Sequence, residues 1–181
     1  MIAMNKYFCF LLSMLFAVSG CAGETSPDLM TYNGIRQSSQ GVGAYQTVRL
    51  MNEGDRAAWE NFYRHVADGD EAWLQLVPSI LGGADAGWTG SIIVALAEAL
   101  PRNPEGVLAL EGSLVSMKYV CSVPFVEPED KFIDAYAASV RKALAGIDEV
   151  YFEQDKRICL LRLNETMQKF EERRKGEYNF K

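Results

Sequence analysis

DRAAWENFYRHVADGDEAWLQLVPSILGG, residues 55–83, is the stretch whose reading decides the fold. Ala58, Trp59, Phe62, Tyr63 and Val66 recur at spacings of three and four, which puts them on one face of a helix. Asp55 stands where it can cap that helix. Asp68, Gly69 and Asp70 break the pattern, and Asp70 is placed to cap a second helix with Trp73, Leu74, Val77, Ile80 and Leu81 on its apolar face. Pro78 lacks an N–H and clashes with the preceding turn, so it must kink this helix or split it. Gly82 and Gly83 end it.

Downstream, the same period continues. Asp85 or Thr89 opens a third helix in which residues 92–100 are apolar nearly all round apart from Glu98. Such a helix is buried, and its run of about nine apolar residues is too short to cross a bilayer. Pro101 stops it, and Asn103, Pro104 and Glu105 read as a cap, a first-turn proline and a first-turn acid. Val107, Leu108 and Leu110 follow, and Gly112 closes this short helix. Residues 113–128 are mainly loop, with a short extended piece expected over residues 114–120. A fifth helix opens at Pro128, Glu129 and Asp130 with a stripe of Phe132, Ile133, Tyr136, Val140, Ala143, Leu144 and Ile147. The last runs from Asp148 or Asp155 to Arg174, with Leu160, Leu163, Met167 and Phe170 on one face. The expected fold is all-α, five or six helices in antiparallel hairpins, forming an irregular bundle or a stack that loosely resembles HEAT-like solenoids without their repeat consensus.

Upstream the character changes. Lys6 is the sole charge before residue 21, and Tyr7 to Val18 is an apolar run of roughly 12 residues, the length of a signal-peptide core. It ends at Val18, Ser19, Gly20 and Cys21. This resembles the lipobox of bacterial lipoproteins. The resemblance implies cleavage before Cys21, diacylglycerol on its thiol, an acylated amine and a palmitate-bearing membrane anchor. Residues 1–20 are then the signal peptide, with Met1 or Met4 as the start. Ala22 stands where an aspartate tends to retain such proteins in the inner membrane, so the implied location is the outer membrane, facing the periplasm. Residues 21–50, rich in glycine, serine, asparagine and glutamine, read as a lipidated flexible tether. Residues 51–176 are the helical domain and 177–181 a frayed tail.

Removing the leader leaves 161 residues, enough for one real core, and takes the formal charge from −6 to −7 as Lys6 is lost. An acidic chain with no basic stripe argues against a nucleic-acid partner. Cys9 leaves with the leader and Cys21 carries lipid, so Cys121 and Cys159 remain in an oxidising compartment. A disulfide is the expectation; two free thiols or part of a metal site are the alternatives. His65 is the only histidine, which leaves zinc short of ligands.

Catalytic patterns are sparse. Ser139 and Lys142 match the Ser-x-x-Lys spacing of penicillin-recognising enzymes, but the companion motifs are absent and both fall on a helix, where a solvated face explains them. His65 is a candidate general base oriented by Asp68 or Asp70, set at a helix C-terminus that would favour its charged form. Asp68, Asp70 and Glu71 lack the rest of a calcium loop. Glu53, Asp55 and Glu60 join them as candidate paired carboxylates for glycan cleavage, although acids at helix starts need no catalytic role. Trp59, Trp73 and Trp88, spaced by 14 and 15, read as one core aromatic per helix ahead of a ligand stack. No cofactor or metal site is expected and no catalytic residue is assigned.

These features point to a non-enzymatic, lipid-anchored envelope protein that binds a protein partner, one form being an immunity or inhibitor protein against an envelope-targeting toxin. The competing readings are a structural accessory lipoprotein of an outer-membrane assembly and, behind it, a cell-wall or lipid hydrolase.

Overall fold

The computed structural model describes residues 26–53, 56–147 and 149–176. Cys21, Asp55, Asp148 and the expected frayed tail lie outside them. The described residues form an all-α body with no β-strand; a single bridge joins Glu111 and Val115. No helix among them is long and apolar enough to cross a membrane.

The first two helices were not expected. Residues 32–50, read above as tether, fall in α1 (Tyr32–Gly41) and α2 (Ala44–Glu53). Thr31 caps α1 by accepting from the Gly34 N–H at 3.0 Å. Ile35, Val48 and Met51 are buried in the common core. Ser38 and Thr47 meet at 2.9 Å across the hairpin, buried; Thr47 Oγ1 donates to the Gly43 carbonyl, so Ser38 is the donor of the pair. The tether expectation is therefore corrected from residue 32 onward. What holds this polar pair of helices is tertiary contact, invisible to local composition.

α3 (Ala57–Ala67) buries Trp59, Phe62 and Val66. Gly69, at φ +77°, turns the chain, and Asp70 caps α4 (Glu71–Leu74) by accepting from Ala72. The break anticipated at Pro78 falls at Gln75 and Leu76, and Pro78 sits in the first turn of α5 (Val77–Leu81), where its missing N–H costs nothing. Gly83 lies so close under the start of α2 that a Cβ there would be 2.3 Å from the Ala44 carbonyl carbon. Asp85 caps α6 (Ala86–Ala99), which buries Ile92, Ala95, Leu96, Ala97 and Ala99.

α3 and α6 form the main helix–helix interface. Trp59 meets Trp88 near their starts (centroids 4.1 Å), Tyr63 meets Glu98 (3.1 Å), and Arg102 donates to the Ala67 carbonyl at their ends (2.9 Å). The two helices therefore run parallel, with α4 and α5 carrying the chain back between them. Asn103 caps α7 (Pro104–Leu108) by accepting from Gly106, and its amide also donates to the Gly69 carbonyl and the Glu71 carboxylate. One side chain thus ties the α3–α4 turn to the start of α7.

The expected extended piece at residues 114–120 is instead the one-turn helix α8 (Met117–Val120). The Glu111 carboxylate accepts from the Met117 N–H, satisfying a donor at its start. Cys121 follows α8 and is bonded to Cys159 with a Cα–Cα distance of 5.1 Å. α9 (Asp130–Ala145) buries Ile133, Tyr136, Val140 and Leu144, but Phe132, expected in the core, is 47 % exposed. α10 (Glu149–Arg174) bends at Phe152 (φ −122°, ψ 16°) and buries Cys159, Leu163, Met167 and Phe170. Arg174 pairs with Asp130 and Asp134 at 3.0 and 3.1 Å, and Arg141 meets Asn164, so α9 and α10 are antiparallel.

Candidate binding surface

α6 is buried on one side and exposes two recesses on the other. The first lies along its N-terminal half. Ala86, Thr89, Gly90 and Ile93 form one wall; Leu114, Tyr119 and Pro124 form much of the other; the volume is about 490 Å³ and the lining is mostly apolar. The second, about 740 Å³, lies at its C-terminal end, where Glu98, Pro101 and Arg102 face α9. Pro124 borders the first and Phe125 the second, so the chain at these two residues divides them.

The loop that forms the outer wall is strained. Leu114, Val123 and Glu127 have φ of +67°, +55° and +45°. Left-handed backbone at residues with a Cβ costs about 1–3 kcal/mol each and persists only where surrounding structure enforces it. For Val123 the compensation is visible: its side chain is buried, two residues from the disulfide. Leu114 gains little from packing, being 73 % exposed; its turn is closed by the backbone, the Gly112 N–H donating to the Val115 carbonyl at 3.2 Å. Tyr119, at 58 %, stands beside it on the same recess.

At the C-terminal recess, Phe125, Phe132 and Tyr136 form an aromatic wall. Phe125 stands edge-on to the other two at 5.1 and 4.9 Å. Tyr136 donates to the Ala97 carbonyl at 3.0 Å. Glu98 is half-buried and accepts from Tyr63 at 3.1 Å; no ion-pair partner lies within 4 Å of it among the described residues. Burial first, then the Glu98 charge and hydrogen bond, push the Tyr63 phenol up to about 12. Burial and the same charge push Tyr136 upward as well. Glu98 is the one charge in the run of residues 92–100, a signal present in the sequence. Leu114 and Tyr119 carried no such signal.

The sequence candidates fall in three places. Ser139 and Lys142 do line the C-terminal recess, but Ser139 Oγ donates to the Ala135 carbonyl at 2.9 Å. His65 stacks on Trp73 (4.3 Å, 3°), with Nδ1 3.4 Å from Asp70 Oδ2 and Nε2 3.4 Å from Arg64. The imidazole is thus engaged on both edges and one face. Asp70 is occupied as a cap, and Glu71 accepts from Asn103 and Gln75. Among the described residues no three His, Cys, Asp or Glu side chains converge on a metal-sized site. Trp59 and Trp73 are buried; Trp88 is half-buried against Trp59 with Arg56 over its ring at 6.0 Å. The tryptophans are packing residues. Comparison with protein-family models, curated proteins and solved structures finds no match.

Proposed function

We propose that the chain is a lipid-anchored envelope protein, held at Cys21 on the outer membrane and facing the periplasm, that binds a protein partner through the recess between α6 and the strained loop. The observation that carries the reading is Leu114: a branched apolar side chain in left-handed backbone, exposed, over an apolar groove. Strain with little packing return belongs to a site that is completed by something else. The disulfide supports a compartment outside the cytoplasm. The lipobox-like Val18 to Cys21 supports the anchor. Neutralising an envelope-attacking toxin is the concrete form of this role, since it needs a small, stapled, membrane-held surface and no catalysis.

Crosslinking and affinity capture from envelope extracts tests it. The wild-type chain should retain one partner that Leu114→Asp and Tyr119→Asp lose, with melting temperatures unchanged. Equal capture by wild type and both variants would remove this groove from the reading. Mass spectrometry of the membrane-extracted protein should find Cys21 as the N-terminal residue, carrying diacylglycerol; an unmodified Cys21 thiol would remove the anchor.

A further inference from the structure

We propose that the recess between the C-terminal end of α6 and α9 binds a small zwitterion, a free amino acid or a short peptide with free termini, with Glu98 taking the ammonium and Arg102 and Lys142 taking the carboxylate.

The argument starts from Glu98. It is a half-buried carboxylate with one neutral donor, Tyr63, and no cation within 4 Å among the described residues. Partial desolvation without a counter-charge is unfavourable, so the site is poised to gain from a cation. The rings beside it suit an ammonium. Phe125 is set at 86° to both Phe132 and Tyr136, and Phe132, nearly half exposed, presents an apolar ring to the recess. Ring faces attract ammonium groups electrostatically. A plain cation, however, would have to pass Arg102 and Lys142, which line the same recess and are both exposed. Arg102 is fixed there, with Nη1 on the carbonyls of Ala67 (2.9 Å) and Glu98 (2.7 Å). A plain anion would meet Glu98. A molecule carrying both charges satisfies both ends, ammonium inward and carboxylate at the rim. The volume of about 740 Å³ accommodates a ligand of short-peptide size. The site lies beyond Pro124 and Phe125 from the apolar groove, so it stands whether or not that groove takes a partner.

The test is calorimetric titration of the purified full chain at pH 7 with free leucine, the peptide Ala-Leu-Ala, and its N-acetylated and C-amidated forms. Leucine or the unblocked peptide should bind, and which of them does so distinguishes an amino acid from a peptide ligand. Blocking either end should weaken binding at least tenfold. Glu98→Gln, which keeps an acceptor for Tyr63, should erase the discrimination at the amino end; Lys142→Ala should reduce that at the carboxyl end. The proposal is overturned if neither unblocked probe binds, if blocked and unblocked forms bind alike, or if folded Glu98→Gln still discriminates against the acetylated peptide.

Discussion

Reducing the Cys121–Cys159 bond should lower folding stability by about 4 kcal/mol. The two cysteines are 38 residues apart in the chain. In the chain-entropy model a cross-link of that span removes about 13 cal/mol/K from the unfolded ensemble, or about 3.9 kcal/mol at 25 °C. Set against the 5–15 kcal/mol that holds a typical domain together, that is a large share. For a chain of this length it corresponds to a fall in Tm of roughly 12 °C. The structure adds a spatial expectation. The bond fastens the loop bearing Leu114, Val123 and Glu127 to α10, and those residues sit in left-handed backbone. Once the bond is gone, relief of the strain favours opening of residues 111–128 before the α3–α6 interface is disturbed. The assay is urea unfolding of oxidised protein against reduced, alkylated protein, with hydrogen exchange read by segment. A stability difference below about 1 kcal/mol, or exchange that rises equally in α6 and in residues 111–128, would refute the reasoning.

Two further predictions rest on single contacts. A Cβ on Gly34 would lie 1.8 Å from the Asp28 carbonyl oxygen, whereas one on Gly41 meets nothing within 4 Å. Gly34→Ala should therefore destabilise by about 1–3 kcal/mol or more. Gly41→Ala, at the open C-terminal end of the same helix, should stabilise by about 0.4–1 kcal/mol by restricting the unfolded chain; paired thermal melts read both. The Tyr63 phenol, ordinarily 10.0, is raised to about 12. The native state therefore holds its proton more tightly than the unfolded chain. The associated stability is complete below pH 10 and is lost as pH climbs through about 12. Ultraviolet titration should show Tyr63 ionising late, and Tyr63→Phe should flatten the loss of stability between those two pH values.

What could be read from the sequence was whatever chemistry is local. Asp70, Asp85 and Asn103 are caps because a short acceptor just ahead of an apolar stripe has few other uses, and each accepts the N–H that local geometry requires. Pro78 split its helix for an equally local reason. Phe132 failed the same logic. Its spacing fits the α9 stripe, but the residue that covers this end of the helix is Phe125, seven positions earlier and in a loop. α8 was mistaken for extended chain because its start depends on the Glu111 carboxylate, six residues away. Of the two recesses, Glu98 was legible as a lone charge in an apolar run. The strain at Leu114 was not, because leucine carries no sign of positive φ.

The largest misreading has a consequence that can be measured. If residues 21–50 were a tether, a chain starting at residue 51 would fold with its core intact. In the structure that truncation deletes Ile35 and Val48, which are 0 % and 5 % exposed, and uncovers Met51. At about 1.5–3 kcal/mol for each buried aliphatic side chain, the two deleted residues alone contribute roughly 3–6 kcal/mol. The truncation also exposes the backbone of Gly83, against which α2 is seated. Together these approach the whole stability of an ordinary domain. The truncated chain should therefore be unfolded or molten at 37 °C, with near-ultraviolet circular dichroism lost. A cooperative melt within a few degrees of the longer chain would refute the packing of α1 and α2. Their being part of the body also limits the proposed anchor. Between Cys21 and α1 only residues 22–31 remain, which can span at most about 35 Å. A partner engaging the α6 groove must then do so close to the membrane surface, and lengthening this link by twenty residues should leave partner affinity in detergent unchanged while relaxing that constraint in intact envelopes.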